Sequence, residues 1–320
     1  MLFTHCYALG GRPQNEPLAS TWGIDSLGGV GVSIFFVLSG YLVTMSVERS
    51  PNLIEFFRRR ALRIYPALIV ICLLSVLALG PQLTTLSLTD YWANSITWDY
   101  LKNATAFLIQ YPLPGVFTDN PAPSAINGSL WSLPYELTCY AALALLSLVP
   151  GAMRAKALIA LISIAGLILL RPTVPPANPF TNFFGLDYYH TKLGLMFALG
   201  AVFACWRDHL RVLLWPSLIL LFVSYYTTHS SMQLLLFLLG LGVLTLWLAL
   251  YARWLPRVPS RIGDWSYGAY LYGFPVQQLL AHYKLHEVSF AGYVIVSTFV
   301  TFTLAGLSWH LVEKQALRWK

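Results

Sequence analysis

Two ionisable side chains fall inside runs of apolar residues, His5 within residues 1 to 10 and Glu136 within Leu130 to Val149. An ionisable group in such a run is costly to bury, so each is a functional candidate by default. His5 lies about five residues from the outer end of its segment and Glu136 about six residues into the next segment entering from that side, so both sit roughly 8 to 9 Å deep. At equal depth the two can meet. A carboxylate beside an imidazole would fix its tautomer and raise its basicity, as a general base acting on a hydroxyl requires. Two plainer roles stay open: His5 as a buried imidazole bound to a backbone carbonyl, and Glu136 as a hydrogen-bonding group between helices.

A second cluster is basic. Arg58, Arg59, Arg60 and Arg63 stand between apolar runs in Phe56 to Pro66. At the centre of a membrane helix each arginine would cost about 2.5 to 3.5 kcal/mol, so the cluster belongs at a water interface. Its guanidinium forks suit phosphate, and its charge also suits simple topological anchoring. His310 lies near Lys314 at the far end of its segment and is expected to be structural. His190, His209, His229, His282 and His286 fall at segment ends, where solvated roles are expected.

The elements that position these groups follow from composition. Of 320 residues, 57% are hydrophobic and 10% charged, with a mean hydropathy of +0.62, where a soluble domain carries about 25% charge. The chain is expected to be one polytopic, all-helical membrane domain over residues 1–320, without a further soluble domain. The net charge of +7 comes from basic residues scattered between apolar runs, which argues against nucleic acid as a partner. Cys6, Cys72, Cys139 and Cys205 stand singly and read as small buried hydrophobes. No metal signature, phosphate loop or nucleophile elbow is present. No cleavable signal peptide is expected either.

Ten crossings are expected: residues 1 to 10 as a half-length first helix, Gly28 to Val47, Tyr65 or Pro66 to Gly80, Leu130 to Val149, Ala155 to Leu170, Leu193 to Trp206, Val212 to Tyr226, Met232 to Tyr251, Trp265 to Tyr283 and Ala291 to Val312. Gly29, Ser33 and Gly40 would let another helix approach Gly28 to Val47 closely. Pro81 to Ser129 is a long polar excursion, with Trp92, Trp98, Tyr100 and Tyr111 expected as interfacial anchors and a short apolar piece at Ala104 to Ile109. Alternate loops must alternate sides. One set holds Arg49, the four clustered arginines, Arg154, Lys156, Arg207, Arg211, Arg253, Arg257, Arg261, Lys314, Arg318 and Lys320, or 15 of the 20 Lys and Arg residues. Arg12, Lys102, Arg171, Lys192 and Lys284 form the other set, so the positive-inside rule places both chain ends in the cytoplasm.

Five motifs in fixed order carry a resemblance. They are His5 followed by Gly-Val-Gly-Val-Ser-Ile-Phe-Phe-Val-Leu-Ser-Gly-Tyr-Leu at 29–42; Phe-Arg-Arg-Arg-Ala-Leu-Arg-Ile-Tyr-Pro at 57–66; Gly-Ser-Leu-Trp-Ser-Leu-Pro-Tyr-Glu at 128–136; Ser-Tyr-Gly-Ala-Tyr-Leu-Tyr-Gly-Phe-Pro at 266–275; and Trp-His-Leu-Val-Glu-Lys at 309–314. Together they resemble the acyltransferase-three family of membrane O-acyltransferases over essentially the whole chain. The resemblance implies transfer of an acetyl or other acyl group from cytoplasmic acyl-CoA, acetyl-CoA above all, to a hydroxyl of a surface or exported glycan or lipid-linked oligosaccharide, in the bacterial inner membrane. It implies that His5 is catalytic and that Arg60 and Arg63, an RxxR pair, serve the coenzyme. The family's Arg or Lys eleven positions before the histidine would precede Met1, and with the half-length first helix this leads to the expectation that the chain begins inside that helix. Gln315 stands where the family commonly has proline. The rival reading is a secondary transporter or carrier of lipid-linked glycan, a class that also places polar residues at mid-membrane.

Overall fold

The structure is a computed structural model that describes residues 1–170, 188–255, 259 and 262–319. Arg171, Arg257, Arg261 and Lys320, counted above for orientation, lie outside the described residues. Within them the protein is helical, without strands. The principal helices are α1 (Leu2–Leu9), α2 (Leu27–Arg49), α3 (Leu53–Leu83), α4 (Leu133–Leu148), α5 (Met153–Leu170), α6 (Tyr188–Cys205), α7 (Arg207–Tyr226), α8 (Ser230–Tyr251), α9 (Ser266–His282) and α10 (Phe290–Trp319).

Six of these, α2, α3, α5, α7, α8 and α10, are long and apolar enough to cross a membrane. The other expected crossings fall on helices that are shorter or more polar, so among the described residues six of the ten expected crossings meet that measure of length and composition. Only 11% of the most apolar stretch of α5 and 17% of that of α7 is buried within the protein. Their bare apolar surfaces are those of lipid-facing helices in an integral membrane protein, because in water such area would cost about 25 cal/mol per Å².

Close helix contact depends on glycine at a few places. A Cβ on Gly40 of α2 would stand 2.0 Å from the carbonyl oxygen of Phe197, and one on Gly200 of α6 would stand 2.1 Å from that of Val37. The backbones of α2 and α6 therefore touch, as small residues at membrane helix crossings allow. Gly40 plays the expected role, whereas Gly29 lies under the carboxylate of Asp25 rather than under a helix.

The arginine cluster is not in a loop. α3 starts at Leu53, about a dozen residues before the expected crossing, because the Asn52 side chain accepts from the Glu55 amide at 2.8 Å and so caps the helix. Glu55 then pairs with Arg58 and Arg59 one turn on, at 2.8 and 2.7 Å. Near its other end α3 takes a π turn at Ser75–Leu79, and the Tyr91 hydroxyl donates to the Val76 carbonyl at 2.9 Å.

Residues 84 to 128 form a cap on one end of the bundle, with Tyr91, Tyr100, Leu113, Val116, Phe117 and Ile126 as its core. Tyr100 is thus buried, at 1% exposure, and is not an interfacial anchor. The stretch 106–109 is not helical. Gln278 of α9 pins the cap by donating to the Ala122 and Ala125 carbonyls, both at 2.7 Å, and accepting from Asn120 at the same distance.

Candidate active site at the junction of two cavities

His5 projects from α1 between α2 and α9. Its ring meets Phe274 edge to face, with centroids 5.3 Å apart. Phe274 is held from behind by Gly128, where a Cβ would fall 2.5 Å from the ring. α1 itself is fixed to α9 by Gln277, which donates to the Leu2 carbonyl at 2.7 Å and to Cys6 Sγ at 3.0 Å. Gly273 leaves room for Leu2, 2.3 Å from where a Cβ would sit. Among the described residues the His5 imidazole has no hydrogen-bond partner, so the open alternative of a carbonyl-bound imidazole is not seen there.

Two cavities meet at His5. The larger, about 780 Å³, opens toward the cap and is lined by Asp25, Tyr111, Trp131, Tyr188, Tyr189 and Lys192 besides His5 and Phe274. The smaller, about 320 Å³, extends from the same two residues past Ser129 and Tyr270 to Ser266, the first residue of α9. At 1.5 Å per residue, the seven residues from Tyr267 to Phe274 span about 10 Å. α9 thus lays Tyr267 at the arginines, Tyr270 at mid-course and Phe274 at the histidine.

Glu136 does not meet His5. It accepts a hydrogen bond from Tyr140, whose hydroxyl lies 3.4 Å from Ser39 Oγ, and the charges that act on it are those of Arg60 and Arg63. The way the chain enters α4 keeps the two side chains apart. Before it, Gly128–Ser132 enters the bundle as a 3-10 turn, with Asn127 donating to the Leu271 carbonyl at 2.8 Å and Tyr270 donating to the Ser129 carbonyl at 2.6 Å. Unwound backbone at this depth is tolerated because protein groups satisfy it. Glu136, in the first turn of α4, also benefits from the positive end of the helix dipole.

The four arginines differ in their partners. Arg58 and Arg59 are engaged by Glu55. Arg63 is held by Asp264 at 2.5 Å and Glu313 at 3.4 Å, with Tyr267 and Trp309 rings 5.8 and 5.9 Å from its guanidinium carbon. Burial alone would raise the Asp264 pKa, but hydrogen bonds from Ser266 and the charge of Arg63 outweigh it and hold the carboxyl below its usual range. Arg60 has no carboxylate or hydrogen-bond partner among the described residues, and its Nε is buried without one. It is the cluster member left available for a ligand.

His310, expected to be structural, is exposed. His286 departs from expectation, being 8% exposed and edge-on to Tyr293 at 6.0 Å. His190 meets Tyr135 at a tilt of 60°, with ring centroids 4.5 Å apart. The four cysteines are free, two buried and two partly so. Among the described residues no cluster of His, Cys, Asp or Glu could hold a metal. Asp25, Trp131, Tyr189 and Lys192 were not singled out from the sequence; the one available signal was a lysine directly preceding the apolar run that begins at Leu193.

His5 thus lines both cavities of a helical membrane bundle. Residues 1–310 match the acyltransferase-three family, described as an acyltransferase domain, and the chain belongs to that family. It is 32% identical to "O-acetyl transferase" of Shigella phage Sf6 over 99% of this chain and 92% of that protein. It is 29% identical to "Nodulation protein 10" of Rhizobium leguminosarum bv. viciae over 99% and 91% of the two chains. No solved structure matches.

Proposed function

We propose that this acyltransferase is an O-acetyltransferase of the bacterial inner membrane, moving an acetyl group from acetyl-CoA in the cytoplasm to a hydroxyl of a surface or exported glycan or a lipid-linked oligosaccharide. The observation that carries this reading is the placement of His5, shared by a cap-side cavity with aromatic walls and a second cavity leading toward the arginines. Aromatic rings beside a few polar groups suit a sugar, whose apolar ring face and hydroxyls need both. The name of the phage relative supports oxygen as the acceptor atom. The excess of Lys and Arg on the Arg63 side supports placing that end, with both chain termini, in the cytoplasm.

In this reading Arg60 contacts the coenzyme phosphates, since a guanidinium without a carboxylate partner is free to fork onto phosphate. Arg63, saturated by Asp264 and Glu313, holds the mouth of the donor passage in shape. His5 takes the proton of the acceptor hydroxyl as its oxygen attacks the thioester carbonyl. The carbon–sulfur bond then breaks, and the coenzyme thiolate takes that proton from His5 and leaves as the thiol. Glu136 lies with the arginines and contributes there to the electrostatics of the donor side.

The test is acetyl transfer from labelled acetyl-CoA to glycan in vesicles holding the protein. His5→Ala should lower the rate by about 10²- to 10⁴-fold, the usual share of general-base catalysis, with unchanged membrane insertion. Retained transfer would refute the assignment.

A further inference from the structure

The cap-side cavity contains an ion pair that the transfer step does not use. Lys192 Nζ lies 2.5 Å from Asp25 Oδ2, with the two side chains 3% and 11% exposed. Both residues line the cavity that holds His5, and among the described lining residues they are the only fixed side-chain charges of Asp, Glu, Lys or Arg. The pair is carefully seated. Asp25 Oδ1 accepts from the Ser26 amide at 2.9 Å, and the carboxylate covers Gly29, where a Cβ would fall 1.9 Å from Oδ1. Lys192 Nζ also lies 5.8 Å from the centroid of the Tyr188 ring.

A buried ion pair is no more stabilising than well-packed apolar residues of the same volume. Its position in a cavity wall, rather than in the core, gives it another use. The ammonium has three donors and the carboxylate about four acceptor positions, more than their mutual contact and Ser26 consume. The surplus suits hydroxyls, each both donor and acceptor, and two neighbouring hydroxyls can bridge both members of the pair. Trp131 and Tyr189, with ring centroids 4.6 Å apart, line the same cavity and offer a face to the apolar side of a sugar ring. The pair is neutral as a unit. An acidic sugar would bring its carboxylate toward Asp25 and find Lys192 already neutralised.

We infer that Asp25 and Lys192 form the acceptor-orienting site and select a neutral sugar with a vicinal diol over an acidic one. The inference rests on the reading of the cap-side cavity as the acceptor site. It is tested by saturation-transfer NMR and acetyl transfer on the protein in nanodiscs, with methyl glucoside, methyl rhamnoside and methyl glucuronide as probes. The two neutral glycosides should bind and the glucuronide should not, and Asp25→Asn should weaken neutral binding by at least about tenfold, as when a site built for a hydroxyl loses its partner. His5→Ala should lose transfer while still binding both neutral glycosides. The exchange Asp25→Lys with Lys192→Asp should recover any loss of folding, read as a monodisperse gel-filtration peak, without recovering affinity. Equal binding of the glucuronide, unchanged binding by Asp25→Asn, or full recovery of affinity in the exchanged variant would each overturn the proposal. Normal binding with no transfer by the wild type would instead overturn the acetyltransferase reading and leave the binding site standing.

Discussion

Arg63 and Glu313, 250 positions apart in sequence, meet at 3.4 Å because the last helix takes a π turn at Trp309–Glu313. The turn swings Glu313 inward to 2% exposure, and it brings Ser308, five positions back, to 3.1 Å from the other carboxylate oxygen. Removing Arg63 would leave that carboxylate buried without its cation. Arg63→Ala should therefore destabilise the protein by about 1 to 3 kcal/mol, the cost of leaving a buried group without its partner, read as a lower midpoint in thermal unfolding in detergent. Arg60→Ala, which breaks no such pair, should keep its midpoint and raise KM for acetyl-CoA by about tenfold, the loss of roughly one charge-assisted bond. Reversal of these two phenotypes would contradict the division of roles.

Glu136 and His5 do not touch, so their mutants should separate in kinetics. Glu136→Gln should leave the pH dependence of kcat/KM unchanged and alter KM for the thioester. Tyr140→Phe, by removing the donor to a buried carboxylate, should destabilise by about 1 to 3 kcal/mol. A displaced pH profile in Glu136→Gln would mean that the carboxylate works on the imidazole after all.

Gly128 is the seat of Phe274. Gly128→Ala forces a methyl to 2.5 Å from that ring, which should cost about 1 to 3 kcal/mol as overpacking and displace His5 through the edge-to-face contact. Activity should fall further than stability. Adding Phe274→Leu to Gly128→Ala should restore the thermal midpoint more than the rate.

The Arg63 end should also loosen in acid. Asp264 has a depressed pKa, so its contribution is present above the ordinary carboxylate pKa and is lost as pH falls through the lower folded value. Thermal midpoints measured from neutral pH downward should fall for the wild type over that window, and Asp264→Asn should flatten the fall while lowering the midpoint at neutral pH. Equal slopes for the two proteins would dissociate Asp264 from the effect.

Much of this architecture was legible in the residues. His5 stood out because an imidazole in hydrocarbon demands a reason, and Gly40 because backbone contact between helices demands the smallest side chain. The separation of Glu136 from His5 was not legible, since counting residues assumes one continuous helix and the chain enters α4 through a 3-10 turn at Gly128–Ser132. The start of α3 was missed because arginines with long stems can extend their charges to water from within a helix. The Asp25–Lys192 pair joins positions 167 apart, a contact that local pattern cannot express. Register shifts by π turns are equally silent, because their residues look like any apolar helix end.

The thinness of the partition between the two cavities has an electrical consequence. Met1, His5 and Phe274 line both spaces, so little besides these residues stands between them. A membrane potential drops where insulation is thinnest, and each elementary charge crossing it is worth about 2.3 kcal/mol per 100 mV. In the proposed reaction the proton exchanged at His5 would move inside that drop. In that reading the side chains shared by the two cavities would also be what keeps the membrane from leaking.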